Sequence, residues 1–152
     1  MKTPIAILPA SARHLGRVVE LLSAQLHEHD LPTSEADLRE VTRAVLGDPR
    51  HGFILLAMAD DVAVGIAFAA AHLSAEHGGM IGWLEELYVT REWRGRGAGS
   101  LLLSAVADRA RELAWRGLEL EVVVGHERAV PLYERHGFRP LARARFSRIF
   151  KP

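Results

Sequence analysis

The sequence holds no cysteine, which excludes disulfides, thiolate metal sites, iron–sulfur clusters and any acyl-cysteine intermediate. It also lacks a long apolar run. The longest nearly apolar stretch, Val62 to Ala71, falls far short of the roughly 18 residues that a membrane-spanning helix needs. Near the amino terminus, Ile5 to Leu8 is too short for a signal-peptide core. A soluble, cytoplasmic protein with no membrane partner is the expectation. Net charge is missing as well: 19 basic and 19 acidic side chains cancel, which argues against a general nucleic-acid binder, so no nucleic-acid partner is expected. No metal is expected either. Of the eight histidines, His27 and His29 are two apart and fall on different faces of a helix, His72 and His77 bracket an apparent loop, and there is no His-Glu-x-x-His. What remains is ordinary: 152 residues, 49% hydrophobic and 25% charged, a composition and length that fit one globular domain.

The charges are unevenly spread. Residues 1–90 carry 6 basic and 12 acidic side chains, a net −6, whereas residues 91–152 carry 13 and 7, a net +6. Either the second half handles an anion or the two halves attract each other; composition leaves both open. The basic run Arg139, Arg143, Arg145, Arg148 and Lys151 reads as a solvated strand face, since single-strand binders interleave such residues with more aromatics than Phe146 and Phe150.

Hydrophobic periodicity sets the expected elements. Pro4 to Leu8 reads as a first strand. A helix opens at Ser11, with Leu15, Val18, Val19, Leu22 and Leu26 at helical spacing. Ser34 and Asp37 form a capping pair before a second helix that Asp48-Pro49 ends. Phe53 to Ala59 and Val62 to His72 flank Asp60-Asp61 as a hairpin. Trp83 to Val89 is a strand, Ser100 to Arg116 an amphipathic helix and Leu118 to Val124 another strand. Arg128 to Arg135 is a short helix with Pro131 in its first turn and Gly137 at its cap, and Phe138 to Phe150 supplies the last one or two strands. The result is a mixed α/β domain whose first half is largely antiparallel.

The strongest local signal is Trp83-Leu-Glu-Glu-Leu-Tyr-Val89, then Arg94-Gly-Arg-Gly-Ala-Gly99, then the long helix. First-turn amides have no intrahelical acceptor, and the helix dipole adds partial positive charge there. Glycines let a ligand approach the backbone, and Arg94 and Arg96 add charged donors, so the turn is built to cradle a diphosphate. No Gly-Lys-Ser/Thr follows, so it is not a Walker loop, and the hairpin before it does not suit a dinucleotide fingerprint.

Arg94-x-x-Gly97-x-Gly99 after LEELYV resembles the acetyl-CoA motif of the GNAT family of N-acetyltransferases, and ERAVPLYERHGF (Glu127 to Phe138) resembles that family's second signature. The resemblance covers nearly the whole chain, specifically from Trp83 to Phe138 and loosely over the first 60 residues. It implies a single domain over residues 1–152, with a mixed, mostly antiparallel central sheet flanked by helices and acetyl-CoA as cosubstrate. The pantetheine arm would pair with the backbone along Leu87, Tyr88 and Val89. Arg94, Gly95, Arg96, Gly97, Ala98, Gly99 and Ser100 would form the diphosphate turn. His126 stands where many relatives carry an asparagine that contacts the cofactor arm.

Tyr133 matches the family's general acid, a reasonable donor because a thiol's pKa is about 8.5 and a phenol's about 10. A simple amine is protonated at neutral pH, so its proton needs an acceptor. Glu85 and Glu86, adjacent on a strand, are expected to point to opposite faces. Glu85 shares parity with Leu87 and Val89 and matches an acidic position of polyamine-acetylating relatives, which makes it the expected base or water-holder, with Glu86 in reserve. His126 is a third candidate, since histidine as a residue type can take up and release protons near neutrality. Without a cysteine or a Gly-x-Ser-x-Gly elbow, direct attack by the acceptor in a ternary complex is expected. The acceptor implied is a small cationic amine drawn by Glu28, Asp30 and Glu35. A protein N-acetyltransferase or a non-catalytic acyl-CoA sensor of the same fold are the alternatives, and a homodimer remains an option because such families often form one.

Overall fold

Alternating and helical apolar spacing sorts the chain into layers, and the computed structural model, which describes residues 2–150, follows that sorting closely up to residue 119. Five strands lie in the order β1-β2-β3-β4-β5: β1 (Ile5–Pro9), β2 (Gly52–Ala59), β3 (Val62–Ser74), β4 (Gly79–Val89) and β5 (Leu118–Glu119). The first four are antiparallel neighbours, and β5 joins β4 in parallel. This is the mixed, mostly antiparallel sheet that the sequence implies. The chain divides into two units, one ending at Glu121 and one beginning at Val122.

Helices α1 (Leu15–Glu28) and α2 (Glu35–Gly47) cover one sheet face. Their apolar residues, Val18, Leu21 and Leu22 among them, pack on Ile54, Leu56, Ile66, Phe68 and Tyr88. Leu56 and Ile66 are wholly buried, each worth about 1.5–3 kcal/mol by area transferred from water. Ser34 caps α2 as expected, its Oγ accepting from the Asp37 amide at 3.1 Å. Helix α3 (Ala98–Glu112) lies on the other face, where small residues admit it: a Cβ on Gly65 would stand 3.3 Å from Leu102.

Gly52 opens β2 with φ +124°, and a Cβ there would meet the Ala69 carbonyl oxygen at 2.0 Å. Neither the backbone angle nor the contact can relax without disturbing the β2–β3 ladder. Gly52→Ala is therefore expected to cost about 3 kcal/mol or more, read as a lowered urea midpoint with an unchanged slope.

Three expectations are corrected. The apparent loop bracketed by His72 and His77 is shorter than expected: β3 runs to Ser74, β4 starts at Gly79, and His72 is paired with Ile81. The strand expected over Leu118 to Val124 keeps only Leu118–Glu119, because β4 and β5 pair at Gly82/Leu118 and Trp83/Glu119 and nowhere beyond. Phe138 to Phe150 forms no strand. Its alternation supplies faces, but Pro140 lacks an amide donor and a ladder needs a partner strand. Boundaries also move: the first helix is preceded by a 3₁₀ turn at Ala12–His14, and α3 runs two residues earlier at its start and ends at Glu112.

Candidate active site

Opposite-face parity fails where it matters most. On β4, Tyr88 pairs with Ile66 and Glu86 with Phe68, but Leu84 pairs with Ala69, so Glu85 is the extra residue of a β-bulge. Counted from Leu84, Glu85 belongs to the α1 face; counted from Glu86, it belongs to the α3 face. The bulge removes the simple alternation on which the shared face of Glu85, Leu87 and Val89 was expected, a feature that residue spacing does not reveal. Glu85 is exposed, whereas Glu86 is partly buried beneath α1 beside Gln25.

Burial pushes the Glu86 carboxyl up to about 7, a hydrogen bond with Gln25 opposes the rise, and the negative charges of Glu85 and Glu121 add to it. Gln25 is itself buried, and its Nε2 donates to the Leu87 carbonyl at 3.3 Å. Glu121 was not singled out from the sequence; it read as one of the polar positions of an alternating strand, with no signal that it would come within electrostatic reach of Glu86. Glu119 stands apart from this group, being paired with His77 at 3.1 Å.

Beyond Trp83, β4 has no strand partner on its β5 side among the described residues. This is the stretch containing Leu87, Tyr88 and Val89. Tyr88 has its side chain in the core. The carbonyls of Leu87 and Val89 accept from Gln25 Nε2 and from Arg94 Nε (2.9 Å), and each oxygen retains a second lone pair.

After β4, a 3₁₀ turn at Arg91–Trp93 leads into residues 94–97 and then α3. Gly95 and Gly97 have φ of +72° and +89°, and a Cβ on either would meet nothing within 4 Å. Gly97 is the N-cap, and the first helical bond runs from the Leu101 amide to its carbonyl at 3.0 Å. The amides of Ala98, Gly99 and Ser100 therefore have no acceptor within the helix, and open space lies over the turn. These features fit a diphosphate.

The two arginines of the turn differ. Arg94 is engaged by protein: Nη2 lies 3.0 Å from both oxygens of Glu28, Nε bonds the Val89 carbonyl, and the guanidinium sits 5.5 Å from the Tyr88 ring centroid. Arg96 lies 4.7 Å over the Trp93 ring and is paired with no carboxylate among the described residues. Burial of Glu28 works against its charge, but hydrogen bonds and charge from Arg94, then Arg91, outweigh it and hold the pKa below the usual value. Glu28 and Glu35, expected to draw a cationic amine, are thus both ion-paired, the second with Arg39 at 3.2 Å. Asp30, the third of that trio, has no ion pair among the described residues and occupies a left-handed position at φ +54° in the α1–α2 turn.

In the unit from Val122 onward, a 3₁₀ turn at Glu127–Ala129 precedes α4 (Val130–Arg135), with Pro131 in the first turn and Gly137 past the end at φ +87°. Tyr133 is half-buried and meets the Phe138 ring edge-on at 6.0 Å. His126 precedes the 3₁₀ turn, its amide donating to the Val123 carbonyl at 2.9 Å.

The sequence model of the acetyltransferase (GNAT) family matches residues 16–138, and the chain belongs to that family. It is an acetyl-CoA-dependent N-acetyltransferase of that fold. An aminoglycoside N(6′)-acetyltransferase type 1 of Stenotrophomonas maltophilia is 29% identical over 129 residues, covering 83% of this chain and 84% of that protein. A thialysine N-epsilon-acetyltransferase of Bos taurus is 37% identical over 62 residues, 41% of this chain and 36% of that one. Among solved structures, an integron cassette protein from the mobile metagenome of Cole Harbour salt marsh superposes with a TM-score of 0.85 at 25% identity, covering 96% of this chain and 91% of that one. Aminoglycoside N-acetyltransferase AAC(6′)-Iy in complex with CoA shares the fold, with a TM-score of 0.84 at 21% identity over 98% and 97% of the two chains. No helix among the described residues is long and apolar enough to cross a membrane.

Proposed function

We propose that this enzyme acetylates a primary amine of a small cationic acceptor by direct attack on acetyl-CoA in a ternary complex, with residues 1–152 acting as one catalytic domain in the cytoplasm. The observation that carries the reading is the β4 bulge, where Glu86, poised near 7, lies within the influence of Glu85 and Glu121 and a few residues before the glycine turn. The negative charges of Glu85 and Glu121 that act on Glu86 favour a positively charged acceptor. The aminoglycoside and thialysine acetyltransferases among the relatives point the same way.

In this reading the amides of Arg96 through Ser100 and the Arg96 guanidinium hold the diphosphate, and main-chain groups at Leu87 to Val89 take the pantetheine arm. Acetyl-CoA supplies the activated acyl group. Glu86 receives the proton of the attacking ammonium, directly or through water, and exposed Glu85 serves to attract the acceptor. Tyr133, assigned by the signature it sits in, gives a proton to the departing thiolate, and His126 supports the cofactor arm.

The test is a panel of polyamines, aminoglycosides, neutral amines and amino acids bearing net negative charge, with released CoA read by a thiol reagent. The absence of cysteine keeps the background low. Dicationic amines are expected to give the highest kcat/KM, about tenfold or more above neutral amines of the same size at low salt, with intersecting initial-velocity lines. A preference for anionic acceptors, or parallel lines, overturns the reading.

A further inference from the structure

Glu28 is an odd residue to end α1. The last turn of a helix carries the negative end of the macrodipole, so a carboxylate there is locally unfavourable. It is held instead by groups far away in sequence. Arg94 reaches both its oxygens at 3.0 Å and Arg91 approaches at 3.4 Å, while the same Arg94 ties its Nε to the Val89 carbonyl. Arg94 is thus a bridge with three anchors: the end of α1, the last residue of β4 and, through its own backbone, the start of the glycine turn. With Nη2 held by Glu28 and Nε held by the Val89 carbonyl, the plane of the guanidinium is fixed, which a single-point contact does not achieve.

We propose that Glu28 is a positioning residue for the acetyl-CoA-binding turn, acting through Arg94. It touches no substrate. It keeps Arg94 turned toward α1, which leaves Arg96 as the arginine facing the ligand and holds residues 94–97 where the α3 amides can converge on a diphosphate. The proposal rests on the reading that this turn takes the diphosphate.

The position of Glu28 gives the contact a second consequence. Gln25, one turn earlier on the same helix, bonds the Leu87 carbonyl and the Glu86 carboxyl. One helical turn therefore reaches both the strand that carries the base and the turn that binds the cosubstrate. Loss of Glu28 leaves Gln25 in place, so the effect falls on acetyl-CoA and not on the proton acceptor.

The experiment is a double-mutant cycle on Glu28→Gln and Arg94→Gln, with CoA affinity measured by calorimetry and turnover measured with a saturating amine. Each single variant is expected to weaken CoA binding and raise the KM for acetyl-CoA about tenfold, with kcat within about twofold and the acceptor KM unchanged. The double variant is expected to be no weaker than Arg94→Gln alone. Equal losses in kcat and in affinity, additive losses in the double variant, or unchanged affinity in Glu28→Gln overturn the proposal. Gly97→Ala separates it from the reading beneath it: if that variant binds CoA as the parent does, the assignment of the turn falls, whereas a loss there with none in Glu28→Gln removes only the role of Glu28.

Discussion

Glu86→Gln is expected to lower kcat by about 10²- to 10³-fold at pH 8, the range over which a positioned general base contributes. The parent should show a kcat that rises with pH through an apparent pKa near 7, where Glu86 loses its proton. That rising limb should vanish in the variant. Glu121→Gln is the control with opposite sign. It removes one of the negative charges that raise Glu86, so activity persists and the limb moves to lower pH. Should Glu121→Gln abolish turnover while Glu86→Gln retains the limb, the base is Glu121. Glu85→Gln should spare the limb and raise the acceptor KM.

The same group makes a stability prediction. Its folded pKa of about 7 stands above the ordinary 4.5, so the folded state binds this proton more tightly than the unfolded one. The associated stability is complete below pH 4.5 and is lost as pH rises to 7. Glutamine carries no charge to bury. The variant is therefore expected to melt about 2–5 °C above the parent at pH 8, with the difference closing as pH falls toward 4.5. A catalytic group that costs stability in its active protonation state is a familiar trade, and a melt showing the parent as the more stable protein at pH 8 would contradict it.

Much of this site is legible in the residues themselves. Gly97 and Gly99 ahead of a long amphipathic helix announce a turn with free amides, and Ser34 with Asp37 announces the start of α2, because both signals are local and have one mechanical meaning. The bulge at Glu85 is not legible. Its cause is the pairing of β4 with β3, a contact between segments whose register the residues of β4 alone do not encode. For that reason parity favours Glu85, while burial favours Glu86. The partner of Glu28 is hidden in the same way: 66 residues separate it from Arg94, and beside Asp30 and Glu35 it reads as an acid that draws an amine. The segment from Phe138 to Phe150 shows the converse error. Its alternation is real, yet Phe146 and Phe150 are 92% and 80% exposed, since a pattern names the faces of a strand without supplying a neighbour.

Gly97→Ala is expected to weaken CoA binding by about 30- to 100-fold, from two causes that act together. At φ +89° an L-residue is strained by about 1–2 kcal/mol, so the turn relaxes away from the geometry that directs the Ala98, Gly99 and Ser100 amides at one point. The new methyl also occupies space that is open in the protein. Gly47→Ala supplies the comparison. Gly47 ends α2, is exposed, has equally open surroundings and does not carry a positive φ. Alanine there should leave CoA affinity unchanged and add up to about 1 kcal/mol of stability through helix propensity. Calorimetry on the two variants thus isolates the turn from any general effect of a glycine-to-alanine change. Salt sharpens the result: CoA affinity of the parent should fall with ionic strength more steeply than that of Arg96→Ala, since the parent keeps the Arg96 guanidinium for the diphosphate. If Gly97→Ala binds CoA within twofold of the parent, the amides at the start of α3 are not its anion site.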